Sequence, residues 1–228
     1  MESLKPFAVF VFGPPGSGKS TQAAFLAQEF GAVDLDSGEL LREMLHDPSK
    51  TGDPKIKEEK AKYDAGQLND SMWVESMVIQ KVKELAAEGK SIIFSGNPRT
   101  LVEADKEIPE IQILYPGRMA AFSIVVKDDT SLFRNTKRKI CTECGRVFPW
   151  SPNEPAPLLC PDCGGTVSSR PDDTSEIIGE RLKVFHRLTE PVLNYLRSKN
   201  IPVIEIDGEP LADIVSQSLK ENFLKVLG

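Results

Sequence analysis

Short apolar runs alternate with amphipathic stretches along most of the chain. Residues 7–12 (Phe-Ala-Val-Phe-Val-Phe) carry no polar alternation, which predicts a strand buried on both faces. A turn over 13–18 leads into a predicted helix over Lys19–Phe30, with Gly31 as its stop. A strand over 32–36 and a helix over 38–46 follow, then a loop over 48–53. A charged helix is predicted over 55–65, stopped at Gly66, and its acidic–basic run from 55 to 62 reads as a solvated face. Residues 71–87 space Trp73, Val74, Met77, Val78, Val82 and Leu85 as one apolar helical face. Strands over 91–95 and 120–126, each followed by a helix (near 102–107 and over 129–139), continue the rhythm. A long helix over 173–197, bent at Pro191, a strand over 201–206 and a helix over 210–227 complete it. Strands alternating with helices indicate an α/β fold around a parallel sheet.

The rhythm breaks between 141 and 171. Five of the 17 prolines (Pro149, Pro152, Pro155, Pro157, Pro161) crowd into residues 149–161, so no long helix forms and the segment reads as an inserted module. Two Cys-x-x-Cys pairs, Cys141/Cys144 and Cys160/Cys163, stand 15 residues apart within it. That spacing suits four thiolates around one Zn²⁺, with Gly145 and Gly164-Gly165 easing the turns after each pair. Four thiolates close the coordination shell, which makes the role structural. Between the pairs only Arg146 is basic, which is poor for gripping a nucleic-acid backbone.

Gly13-Pro14-Pro15-Gly16-Ser17-Gly18-Lys19-Ser20 fits G-x-x-x-x-G-K-[ST] between a buried strand and a helix. Glycines let successive backbone N–H groups turn onto phosphate oxygens, and the helix that starts at Lys19 aims its positive end at the same place. Lys19 adds a full charge, and a hydroxyl at Ser20 or Thr21 sits where Mg²⁺ belongs. The motif implies a bound nucleoside triphosphate and leaves open what happens to it. The chain as a whole carries 28 Lys+Arg against 34 Asp+Glu, net −6, which counts against nucleic-acid and membrane partners. The only early apolar run spans residues 7–12, too short for a signal peptide or a membrane span, so a cytoplasmic protein with reduced thiols is expected.

Further motifs extend along the chain: Asp36-Ser37-Gly38-Glu39-Leu40-Leu41-Arg42, Asp64-Ala65-Gly66-Gln67-Leu68, Gly96-Asn97-Pro98-Arg99-Thr100, Arg134-x-x-x-Arg138 before Cys141, Arg170-Pro171-Asp172-Asp173, Arg181 and Asp207-Gly208. In this order they resemble the adenylate kinase family, in its bacterial long form with a zinc-bearing lid. The resemblance implies a P-loop three-layer αβα core (1–35, 70–136 and 174–228), a small helical domain over 36–69 for a nucleoside monophosphate, and a zinc lid over 137–173. It implies reversible transfer of the γ-phosphoryl of Mg·ATP to a monophosphate, most often AMP, by a monomer. Ser37, Gly38, Gln67, Leu68 and Gly96 would line the monophosphate site, with Arg42 and Arg99 on its phosphate. Arg134 and Arg138 would meet the triphosphate, while Arg170 and Arg181 would bracket the moving phosphoryl. The acceptor is a phosphate oxygen already ionised at neutral pH, so no general base is required and neither His46 nor His186 is assigned one.

Three positions depart from the family pattern. Ser95 stands where Asp helps hold the hydrated Mg²⁺, which predicts weaker metal retention or a substitute among Asp36, Asp128 and Asp129. Asn97 replaces an aromatic residue, and Glu103 replaces the glutamine that reads adenine. A carboxylate accepts from the adenine amino group but also from guanine or cytosine, so GMP, CMP and UMP stay open as acceptors. A nucleotide-binding regulator weakened by the loss at Ser95 is the competing reading of another class.

Overall fold

The computed structural model describes residues 4–64, 69–150, 155–170 and 173–228. The first apolar run becomes β1 (Ala8–Phe12), buried along its length. Its alternate residues enter two cores: Ala8, Phe10 and Phe12 on one face, Val9 and Val11 on the other. This double burial is why no polar alternation is visible in the sequence. β1 is the middle strand of a parallel sheet ordered β2–β3–β1–β4–β8, with β2 (Val33–Leu35), β3 (Ile92–Ser95), β4 (Met119–Val125) and β8 (Val203–Asp207). Helices α4 (Ser71–Ala87), α5 (Leu101–Leu114) and α8 (Glu190–Ser198) cover one face. Helices α1 (Lys19–Phe30) and α9 (Ala212–Leu227) cover the other. Phe10 stacks on Phe94 with centroids 4.7 Å apart, and Phe7 meets Phe223 edge-on at 5.0 Å. The three-layer αβα arrangement is the one expected.

Between β2 and α4 the chain forms α2 (Ser37–His46) and α3 (Pro54–Asp64). Helix α6 (Asp128–Lys137) leads into a small antiparallel sheet ordered β6–β5–β7, made of β5 (Lys139–Cys141), β6 (Val147–Phe148) and β7 (Val167–Ser168). Helix α7 (Ser175–Val184) leads out of it.

Several elements differ from the pattern. Helix α5 runs through Pro109 to Leu114 instead of ending near 107. Ala104, Ile108 and Ile111 are all buried against the sheet, and that apolar face outweighs the hydrogen bond lost at the proline. The predicted helix over 129–139 ends at Lys137, because Arg138 turns extended just ahead of β5, which starts at Lys139. The long helix over 173–197 runs unbroken from Ser175 to Ser198, but it widens into a π turn over Phe185–Thr189 just ahead of Pro191, where a proline disrupts the regular hydrogen-bond ladder. The predicted end of the charged helix at Ala65 and Gly66 lies outside the described residues.

The run from 55 to 62 is not simply a solvated face. Glu59 is fully buried and accepts from Lys62 Nζ at 2.8 Å, Asn69 Nδ2 at 2.9 Å and the Asp70 amide at 2.9 Å, with Lys55 Nζ at 2.9 Å. Burial pushes its carboxyl up, but the bonds from Lys62, Lys55, Asp70 and Asn69 outweigh this and hold it below the ordinary carboxylate range. One carboxylate therefore ties α3 to the segment that enters α4. Glu59→Ala leaves these donors without their acceptor and is expected to lower unfolding stability by about 2–3 kcal/mol, read by chemical denaturation. Because the folded carboxyl is held low, the contribution is present above the ordinary carboxylate range and is lost only as pH falls into strong acid.

Candidate active site

The phosphate loop joins the central strand to α1. Gly18 takes a left-handed conformation (φ 90°) at the N-terminus of α1, which has no side-chain cap, and an added Cβ there would meet nothing within 4 Å. The open end of the helix is thus an anion site made of backbone amides. Gly16 (φ 75°) is required for a second reason: a Cβ would strike the Asn135 amide group and come within 2.9 Å of the Ser131 carbonyl. Ser131 of α6 also donates to the Pro15 carbonyl, so the helix that enters the small sheet props the loop from beneath. Pro14 accepts from the Ser17 amide at 3.2 Å and from Lys19 Nζ at 3.4 Å. Gly13 packs against the Ser17 side chain, and Thr21 is exposed on α1.

Lys19 passes under Gly96, where a Cβ would stand 3.2 Å from its Cε. Its pKa is pushed down to about 8, first by burial and then by the positive charges of Arg99 and Arg138, with Asp36 opposing. Arg99 and Arg138 are thus close enough for their charges to reach Lys19. Arg99 follows β3; its Nε donates to the Gly96 carbonyl at 3.1 Å and its amide to Glu103 at 2.6 Å. Arg138 forms a two-bond fork with Asp173 at 2.6 and 2.8 Å, and Arg181 of α7 lies 3.8 Å from the same carboxylate. The Asp173 side chain is only 3% exposed. Arg134 donates to the Gly208 and Glu209 carbonyls, each at 2.8 Å, and so holds the turn after β8. Arg42 pairs with Glu39 on its own helix at 3.2 Å. The Arg170 carbonyl accepts from the Asp173 amide at 3.1 Å. Gln67, Leu68, Pro171 and Asp172 lie outside the described residues.

Ser95 ends β3 in register with Val11, and its hydroxyl meets that of Ser20 at 3.2 Å. Both hydroxyls face the place that the loop motif assigns to Mg²⁺. Of the carboxylates considered as substitutes, Asp128 is bonded to His186 at 3.1 Å. Asp36 accepts from the Gly38 and Glu39 amides at 2.8 and 3.1 Å, capping α2 where Ser37 and Gly38 begin it, and its charge reaches Lys19. Glu103 completes the start of α5: Thr100 Oγ1 accepts from the Glu103 amide at 3.2 Å, while its carboxylate holds the Arg99 amide. It has a structural job whatever base it faces.

The four cysteines form one cluster. Their sulfurs all lie within 4.8 Å of one another, with Cys141–Cys163 at 3.4 Å and Cys144–Cys160 at 3.7 Å. These distances are far beyond a disulfide bond of about 2.05 Å. They match the roughly 3.8 Å between corners of a tetrahedron with Zn–S of about 2.3 Å. Each pair sits on the same turn: Gly145 N donates to Cys141 O at 3.1 Å and Gly164 N to Cys160 O at 2.9 Å. An Arg146–Asp162 ion pair joins the two turns, and Trp150 packs edge-on to Phe133 of α6 at 4.9 Å.

A phosphate loop on the central strand of a parallel αβα sheet, with cations gathered over it, defines the P-loop class of nucleotide-binding proteins. A family model described as adenylate kinase matches residues 11–201. The chain is 36% identical over 212 residues to an adenylate kinase of Petrotoga mobilis, covering 91% of this chain and 93% of that protein. It is 33% identical over 223 residues to one of Methanocella arvoryzae (95% and 98% covered) and 30% identical over 211 residues to one of Thermococcus kodakarensis (90% and 89% covered). The chain belongs to the adenylate kinase family.

The residues that sequence reasoning undervalued are Asp173, the counterion of two site arginines, and Ser131 and Asn135, fully buried polar groups under the loop. Their signal is polar residues inside otherwise amphipathic helix ends, which becomes specific only once partners are placed. Because Lys19 titrates near 8 before phosphate arrives, kcat/KM for ATP is expected to fall above about pH 8, while kcat stays level because bound phosphate keeps the lysine charged. Steady-state kinetics from pH 6.5 to 9.5 check this, and a kcat/KM flat to the end of that range contradicts it.

Proposed function

We propose that the chain is an ATP-dependent nucleoside monophosphate kinase with AMP as acceptor, converting ATP and AMP reversibly to two ADP. The observation that carries this reading is the phosphate loop between β1 and the uncapped start of α1, with Lys19 buried there and close enough to Arg99 and Arg138 to feel their charges. Phosphoryl transfer between two phosphates needs positioning and charge stabilisation more than proton transfer. The loop amides of 13–18, with Lys19, Ser20 and Thr21, hold the triphosphate. Arg42 and Arg99 take the acceptor phosphate. Arg134 and Arg138 meet ATP from the base of the lid, and Arg170 and Arg181 close on the moving phosphoryl. Arginine suits these places because its planar fork binds two phosphate oxygens at once.

Mg²⁺ bound with ATP neutralises charge on the phosphates and orients them. Ser20 and Ser95 would hold its water shell through their hydroxyls, and Asp36, whose charge reaches Lys19, would supply the charge that Ser95 lacks. One Zn²⁺ on Cys141, Cys144, Cys160 and Cys163 makes the lid a rigid body. The lid spans 137–173 and the acceptor domain 36–69, around the remaining core. Lid closure excludes water, which would otherwise take the γ-phosphoryl. Ser37, Gly38 and Gly96 line the acceptor and Glu103 faces its base; family resemblance assigns Gln67 and Leu68, outside the described residues, to the same site. Family resemblance is the support for a cytoplasmic monomer.

A coupled assay with Mg·ATP against AMP, GMP, CMP, UMP and dTMP tests the reading. Transfer to AMP in preference to the others is expected. Failure to transfer to any acceptor would leave a nucleotide-binding regulator, the reading that Ser95 favours. In the same assay Ser95→Asp is expected to lower the Mg²⁺ concentration for half-maximal rate several-fold, since it adds a full charge beside Ser20. An unchanged Mg²⁺ dependence would show that position 95 does not bear on the metal.

A further inference from the structure

The segment 96–99 between β3 and α5 carries Arg99, and it is pinned by a side-chain pair that the reaction itself does not use. Asn97 Nδ2 donates to Glu107 Oε2 at 2.5 Å, with Asn97 5% and Glu107 1% exposed. Asn97 belongs to the segment and Glu107 to the second turn of α5, so the bond spans from the arm that bears Arg99 to the helix behind it. Two other bonds hold the same arm, from the Arg99 amide to Glu103 at 2.6 Å and from Thr189 Oγ1 to the Arg99 carbonyl at 2.9 Å. The Asn97–Glu107 bond is the one that is fully removed from solvent. We propose that Asn97 and Glu107 are positioning residues for the acceptor phosphate, fixing the arm from which Arg99 reaches it. This rests on the assignment of Arg99 to the monophosphate.

Charge explains why this pair tolerates burial. Glu107 is pushed up to about 8, first by burial and then by Glu103, with Glu75 adding to the effect and the Asn97 bond opposing it. At neutral pH it is a protonated carboxyl that receives the amide without placing a negative charge behind Arg99. The groups around it are arranged to keep it so. On α5 itself Glu103 is its near neighbour, and Asp105 is bonded to Tyr195 of α8 at 3.0 Å. From α4, Glu75 faces it but is paired with Lys106 at 2.9 Å, and Lys83 pairs with Glu110 at 2.8 Å. Above pH 8 Glu107 ionises; the bond from Asn97 is kept, but the new charge repels Glu103, whose carboxylate holds the Arg99 amide. The arm then loosens at that second hold, and the acceptor phosphate is bound less well. ATP is bound by a different set of residues and does not depend on the pair.

The test is steady-state kinetics of the full chain from pH 7 to 9.5, with AMP varied at saturating ATP and ATP varied at saturating AMP. In the wild type, KM for AMP is expected to rise above pH 8. Glu107→Gln keeps the size and the hydrogen bond but cannot ionise. It is expected to retain near-normal KM at pH 7 and to lose the alkaline rise for AMP, while leaving the alkaline loss for ATP in place. Glu107→Ala is expected to raise KM for AMP about tenfold or more at pH 7 with KM for ATP within about twofold, the scale of a misplaced binding group. An alkaline rise for AMP that survives in Glu107→Gln overturns the proposal, as does equal movement of both KM values in Glu107→Ala. If Glu107→Ala does not fold, the pH comparison with Glu107→Gln decides. Arg99→Ala run alongside separates the two assignments. If it raises KM for AMP and the Glu107 variants do not, only the pair's role falls; if it leaves KM for AMP unchanged, the assignment of Arg99 falls first.

Discussion

The structure turns on a buried lysine held among other cations. Lys19 is pushed down to a pKa of about 8, first by its burial and then by the charges of Arg99 and Arg138. Such a cluster stands only because counter-charge is built in. Asp36 faces Lys19 from the start of α2, and Asp173 takes Arg138 in a fork with Arg181 close by. The counter-charge thus comes from outside the large sheet, from Asp36 at the start of α2 and Asp173 just ahead of α7.

The frame that makes this possible is simple. The middle strand ends in the phosphate loop, its neighbour β3 ends at Ser95 and Gly96, and α6 presses Ser131 and Asn135 up under Pro15 and Gly16. Because α6 continues directly into the cysteine-bearing sheet, the support of the loop and the base of the lid are one helix. The Phe133–Trp150 contact extends the same junction.

Much of this was legible from residue order. The double burial of β1, the loop motif and the cysteine spacing each have a local cause, and the structure places all three as read. The misreadings have physical causes too. Glu59 looked like one charge in a solvated run, because a sequence does not reveal that Lys55, Lys62, Asn69 and Asp70 all turn toward it. Helix α5 outlasted Pro109 because tertiary burial overrode a local breaker. Glu107 gave no signal at all: an isolated acid on an amphipathic helix acquires meaning only when Asn97, 10 residues earlier, is brought against it. Departures at 95, 97 and 103 were visible as departures, but their partners, Ser20, Glu107 and the Arg99 amide, were not.

The claim at the centre of the account is that rate comes from cations held in place on the reacting nucleotides' phosphates, those of ATP included. The most direct measurement is kcat of Arg138→Lys at saturating Mg·ATP and AMP, with thermal unfolding followed in parallel. Lysine keeps a positive charge for Asp173 but loses the fork that binds two oxygens. The account predicts a fall in kcat of about 100-fold or more with little change in the unfolding temperature. A kcat within twofold of the wild type would mean that Arg138 serves Asp173 alone, and would contradict the account.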